Sequence, residues 1–110
     1  MMMNQERLNR VKSGGLLDVI RERPVMYLGE LSLSALWHFL NGYEMSLLAH
    51  DIQEKRPLPR DFHDWVAYRL HFSGSTSGYK NMILKRVPDE AAALEYFFKL
   101  LDEYRNRPSA

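Results

Sequence analysis

From Leu33 to Ile52, apolar side chains return at helical spacing. Leu33, Leu36, Trp37, Leu40, Tyr43, Leu47 and Leu48 follow the i, i+3, i+4, i+7 pattern that turns one helix face into a core. Nothing in the chain alternates over a useful length with the period of two that a half-buried strand requires. Together these restrict the fold to all-α, or nearly so: a compact single-domain bundle of four or five helices. Ser32 or Ser34 can cap the long helix. Asn41-Gly42 interrupts it, at roughly 1 kcal/mol relative to alanine, and we expect another segment to pack closely against Gly42.

The remaining elements follow from their punctuation. Asn4 to Lys12 has weak helical spacing that ends at Ser13-Gly14-Gly15, and Leu16 to Arg23 reads as a short helix that must stop before Pro24. Two prolines stiffen an exposed loop at 54–60. Asp61 is expected to cap a helix from Phe62 to about Phe72 that buries Phe62, Trp65, Val66 and Leu70. Ser73 to Gly78 is a loop by composition, and Tyr79 to Val87 is open between a helical turn and a short strand. Pro88-Asp89-Glu90 starts the last helix, with proline and acids where a helix N-terminus favours them. Its core stripe is Leu94, Phe97, Phe98, Leu101 and Tyr104, and its outer face carries Glu95, Lys99, Asp102 and Glu103. The 110 residues form one domain, with 1–15 loosely ordered and 106–110 a tail.

Composition removes several function classes. Lys and Arg number 15 against 14 Asp and Glu, mixed in both halves, so no basic field exists for binding nucleic acid through its phosphates. Cysteine is absent, which excludes disulfides and thiolate zinc sites. No apolar run approaches the roughly 18 residues of a membrane span. Without a signal-peptide pattern at the start, the expectation is a cytoplasmic protein.

No constellation for catalysis or for a cofactor emerges. His38 and His50 lie on one side of a helix but about 18 Å apart, and no His-x-x-x-His or Glu-x-x-His pair occurs. His63 with Asp61 and Asp64 could ligate a metal, but an acid-rich helix start accounts for the same residues, and no metal is expected. Ser75, Thr76 and Ser77 supply hydroxyls near His71 without the setting of a nucleophile elbow. The same loop, with Tyr79 and Lys80 beside it, could instead cradle an anion or meet a partner through its backbone N–H groups.

Arg21-Glu22-Arg23-Pro24-Val25-Met26-Tyr27-Leu28-Gly29 resembles a stretch near the start of the ATPase subunits of gyrase B-type topoisomerases. The likeness covers nine residues. It does not extend to that family's Glu-and-Asn helix or Asp-x-Gly turn, and implies only a shared way of ending a helix at Pro24 and turning at Gly29. A broader resemblance runs from Leu17 to Arg105, through Ser34–Tyr43, Phe62-His63-Asp64-Trp65-Val66, Ser75–Tyr79 and Phe97-Phe98-Lys99-Leu100-Leu101-Asp102-Glu103-Tyr104. It is to a group of small bacterial proteins of no established activity. By size and style these resemble immunity proteins, which neutralise a toxin by binding it.

Two functional expectations follow. The first is a non-catalytic protein-binding module, immunity-like, meeting a toxin or effector through Glu95, Asp102 and Glu103 or through the loop at 73–79. The second is a small-ligand, anion or nucleotide-responsive domain, in which Arg21, Arg23 and Tyr27 converge with Ser75, Thr76, Ser77 and Tyr79. Trp37-His38-Phe39 could also supply a homodimer patch.

Overall fold

The computed structural model describes residues 4–53, 56–74 and 77–108, and no strand occurs among them. Seven helices follow one another: α1 (Gln5–Lys12), α2 (Leu16–Glu22), α3 (Pro24–Leu28), α4 (Leu33–Ala49), α5 (Phe62–Arg69), α6 (Gly78–Arg86) and α7 (Glu90–Arg105). The chain is all-α, with more helices than the four or five expected. The ambiguous segment is resolved as helix α6, which buries Tyr79, Met82 and Ile83. The other unforeseen element is α3, a single turn that Pro24 opens at its first position and Gly29 closes in the left-handed conformation at φ 84°. No helix among the described residues is long and apolar enough to cross a membrane.

The core is centred on Phe62, fully buried on α5. Its ring meets Tyr104 at 5.3 Å, Phe97 and Tyr79 at 5.7 Å and Trp65 at 6.0 Å between centroids. Three of the four contacts are edge-to-face, the geometry that the ring quadrupole favours. Helix α7 runs through the middle of the molecule and packs on α4, α5 and α6, burying all five residues of its expected stripe. At the periphery, α1 is held on α2, with Asn4 capping it and Arg10 paired to Glu22 at 3.0 Å. Residues 5–12 thus form a helix that lies on α2 without burying a residue of its own.

Side-chain caps set the starts of α1, α4 and α7. Ser32 accepts the N–H of Ala35 and Asp89 that of Ala92, so α4 and α7 begin where a short polar side chain can satisfy a free donor. Asp61 departs from expectation. Its backbone is already helical at φ −79°, ψ −1°, so its carboxylate does not fold back onto the first turn of α5. The carboxylate instead accepts the Tyr104 hydroxyl at 2.5 Å, tying α5 to α7.

Helices α4 and α5 end earlier than their apolar pattern, at Ala49 and Arg69. Both finish in the same double-bonded turn: Asp51 N–H to Leu48 C=O with Ile52 N–H to Leu47 C=O, and His71 N–H to Tyr68 C=O with Phe72 N–H to Ala67 C=O. The residue at the reversal is not glycine in either case; Asp51 sits at φ 51° and His71 at φ 63°. Asp and His tolerate this region better than most side chains, which is why no glycine marks either stop.

Gly42 corrects another expectation. Helix α4 continues through it, and a Cβ at this position would meet nothing within 4 Å. No segment packs closely there, so the glycine only adds flexibility to the unfolded chain. Gly42→Ala is therefore expected to raise stability by about 0.5–1 kcal/mol, measured as a higher urea midpoint at unchanged slope. An unchanged or lower midpoint would contradict an open site.

Candidate functional site

The residues singled out from the sequence separate into three places. On the outer face of α7, two of the three acids are occupied by the chain's own arginines. Arg21 on α2 reaches Asp102 with both terminal nitrogens, at 2.7 and 2.8 Å, and its guanidinium lies 5.2 Å from the Phe98 ring centroid. The hydrogen bonds from Arg21 hold the Asp102 carboxyl below its ordinary range and push the guanidinium upward in turn. Arg69 on α5 likewise binds Glu103, with Nε at 2.9 Å from Oε1. Next to them Arg105 pairs with Asp18 at 2.7 Å. Of the three, Glu95 alone stands exposed without an ion pair among the described residues. This face is a lattice of internal ion pairs that ties α2 and α5 to α7, and reversing Asp102 and Glu103 would disturb the fold.

Of the second expected cluster, the described residues are not brought together. Arg21 is held against α7, Arg23 lies exposed at the α2–α3 junction, and Tyr27 packs half-buried against the core. Ser75 and Thr76 fall outside the described residues. Ser77 precedes α6 without a side-chain cap bond, while Tyr79 is buried at 4 % exposure, edge-on to Phe62 and tilted against Phe97. The cleft beside Arg21 is lined by Tyr96, Lys99 and Asp102, with no described residue of the 73–78 loop.

Two surfaces that sequence reasoning missed lie side by side along α4. The first is apolar. Met45 is 65 % exposed, Leu48 78 % and Ile52 42 %, and all three line an open cleft of about 590 Å³ with Gln53 and Arg56 at its rim. Leu48 thus lies outside the core that its spacing predicts. A signal was present: Tyr43, Leu47, Leu48 and Met45 spread over about 200° of the helix, wider than the stripe one core covers. Trp37 and Phe39, by contrast, pack against the core and leave only His38 of that trio exposed.

The second surface is a cavity of about 330 Å³ where α4, the 56–61 segment, α5 and α6 meet, lined by Trp37, Glu44, Arg56, Arg60, His63 and Tyr79. Arg56 is neutralised by Glu44 at 3.1 Å, whereas Arg60 has no carboxylate partner among the described residues. His63 Nδ1 accepts the backbone N–H of Tyr79 at 3.0 Å and so caps α6 from a distance, in place of Ser77. Burial, followed by the nearby Glu44 charge, pushes the Tyr79 phenol well above its ordinary range. Among the described residues no group of three His, Asp or Glu is placed to hold a metal ion, and His63 serves the α6 cap instead.

Compared with protein-family models, curated proteins and solved structures, the chain matches none. The functional reading therefore rests on these surfaces.

Proposed function

We propose that the chain is a non-catalytic protein-binding module that captures its partner on the C-terminal half of α4. The observation that carries this reading is that Met45, Leu48 and Ile52 are exposed together along one cleft, which the other exposed large apolar side chains among the described residues, Leu8, Val25, Leu31 and Tyr68, do not line. Burying one such side chain against a partner is worth about 1.5–3 kcal/mol, so three of them can anchor an interface. The rim is polar and balanced, with Glu44 and Asp51 against Arg56 and Arg60. Such a rim suits the apolar face of an amphipathic segment of another protein rather than a highly charged one. Inhibition of a toxin or effector by covering its working surface is the specific form proposed. The acidic face of α7 supports it less, because Arg21 and Arg69 already occupy Asp102 and Glu103.

The reading is tested with Leu48→Glu and Met45→Glu. Both side chains are exposed, so each variant keeps its helicity and melting temperature. Each is expected to weaken binding of the partner captured by the unaltered chain at least tenfold, which corresponds to about 1.4 kcal/mol. Undiminished binding by both variants would overturn the assignment of the surface. Loss of a homodimer in light scattering, with no other protein bound, would replace the foreign partner by a second copy.

A further inference from the structure

The cavity beside the apolar cleft has features that a protein-docking surface does not need. We propose that it binds a small organic anion, a carboxylate or phosphate carried on an apolar body, through Arg60, His63 and the Tyr79 hydroxyl.

The argument starts from Tyr79. Tyr79 is more than nine-tenths buried and lines the cavity; its hydroxyl has no hydrogen-bond partner among the described residues and is not fully enclosed, since no enclosed side-chain oxygen or nitrogen among them lacks a partner. A hydroxyl so placed remains satisfied only by what enters the cavity. His63 adds a second donor by elimination. Its Nδ1 accepts the Tyr79 N–H, so that nitrogen carries no hydrogen, and the ring N–H must sit on Nε2. Arg60 supplies a third donor and the uncompensated charge, since Arg56 and Glu44 cancel one another across the same cavity. Lys80, with its nitrogen 4.5 Å from the Trp37 ring centroid, adds positive potential at the edge.

Three donors from three separate segments, with Arg60 unpaired among the described residues, select an acceptor bearing negative charge. Trp37, Leu40, Leu58 and Pro59 give the wall an apolar part, beside Asn41 and the Glu44–Arg56 pair, and an anion carried on a body with an apolar face fits against it. The volume, about 330 Å³, lies at the small end of the range for ligand sites. A ring with one charged substituent is the size and chemistry that fit.

The test is a titration of the full chain with benzoate, phenyl phosphate and benzyl alcohol, followed by the NMR signals of the Trp37 indole N–H and the Tyr79 amide. Both anions, or one of them, are expected to shift these signals saturably, while the alcohol does not. The tighter anion identifies which charged group the cavity takes. Arg60→Ala and Tyr79→Phe should each weaken the anion about tenfold, the scale of a lost charge-assisted hydrogen bond. Arg60 is exposed and holds no ion pair among the described residues, and Tyr79→Phe keeps the ring in the core, so both variants remain folded. Equal binding of the alcohol, unchanged affinity in Arg60→Ala, or no shift with either anion would overturn the proposal.

Discussion

Phe62→Ala is expected to remove about 3–5 kcal/mol of unfolding free energy, the range for truncating a core aromatic. The magnitude follows from its position. Phe62 is fully buried and its ring is in contact with Trp65, Tyr79, Phe97 and Tyr104, so truncation opens a cavity that three helices border. These neighbours are themselves fixed: Tyr104 by its hydrogen bond to Asp61, and Tyr79 by its place in the first turn of α6. They cannot collapse inward freely, and the upper part of the range applies. Domains of this kind have about 5–15 kcal/mol in total, so the variant should be close to unfolding at 37 °C. Urea unfolding followed by circular dichroism measures the loss. Tyr68→Ala, at a side chain 80 % exposed, is the control and should change stability by no more than about 0.5 kcal/mol. A loss below about 1 kcal/mol for Phe62→Ala would mean that the core is organised elsewhere.

Glu90→Ala has the second largest expected effect. One carboxylate holds the starts of two helices together: Oε1 accepts the Ser34 N–H at 2.9 Å and the Ser32 hydroxyl at 3.2 Å, and Oε2 accepts the Ser34 hydroxyl at 2.6 Å. Ser32 is also the cap of α4, so the bridge braces the cap itself. Removing a charged acceptor from such a partly buried set should cost about 1.5–3 kcal/mol. The effect depends on pH. The hydrogen bonds from Ser34 hold the Glu90 carboxyl below its usual value of 4.5, so the unfolded chain takes up this proton more readily than the folded one. The stabilisation is complete above pH 4.5 and is lost as the pH falls through the lower folded value. Asp102, depressed by Arg21, adds a contribution of the same sign. Glu90→Ala should therefore be much less stable than the unaltered chain at pH 7, with the gap narrowing towards pH 3. A gap that stays constant across this interval would show that the carboxylate charge is not what holds the two helices.

Much of the fold was legible because local chemistry and tertiary need coincide. Ser32 and Asp89 cap the helices that follow them, the α7 stripe is the core of the molecule, and Pro24 and Gly29 punctuate the chain as their backbone preferences dictate. What escaped was set by residues far apart in sequence. Nothing local says that Asp61 will serve Tyr104, that Glu90 will bind Ser34, or that Arg21 and Arg69 will consume the acids of α7. A carboxylate on a helix face looks the same whether its partner is water or an arginine 81 residues away. Helix ends at Asp51 and His71 were hidden for a different reason, because the left-handed residue there is not the expected glycine.

The candidate sites were the least legible. Tyr79 was named, but for its neighbours in the loop rather than for the cavity it lines with Arg60 and His63. Leu48 was read as core because helical spacing marks apolar faces without saying which face finds a partner in the same chain. Where a helix is apolar on more than one face, the part left uncovered is the part available to another molecule.

Covalent side-chain footprinting with hydroxyl radicals, with and without the captured partner, tests the central claim most directly. Modification of Met45, Leu48 and Ile52 is expected to fall severalfold in the complex, while Glu95 and the neighbouring surface of α7 react as before. Protection of the α7 face with undiminished modification at Met45 and Leu48 would contradict the account.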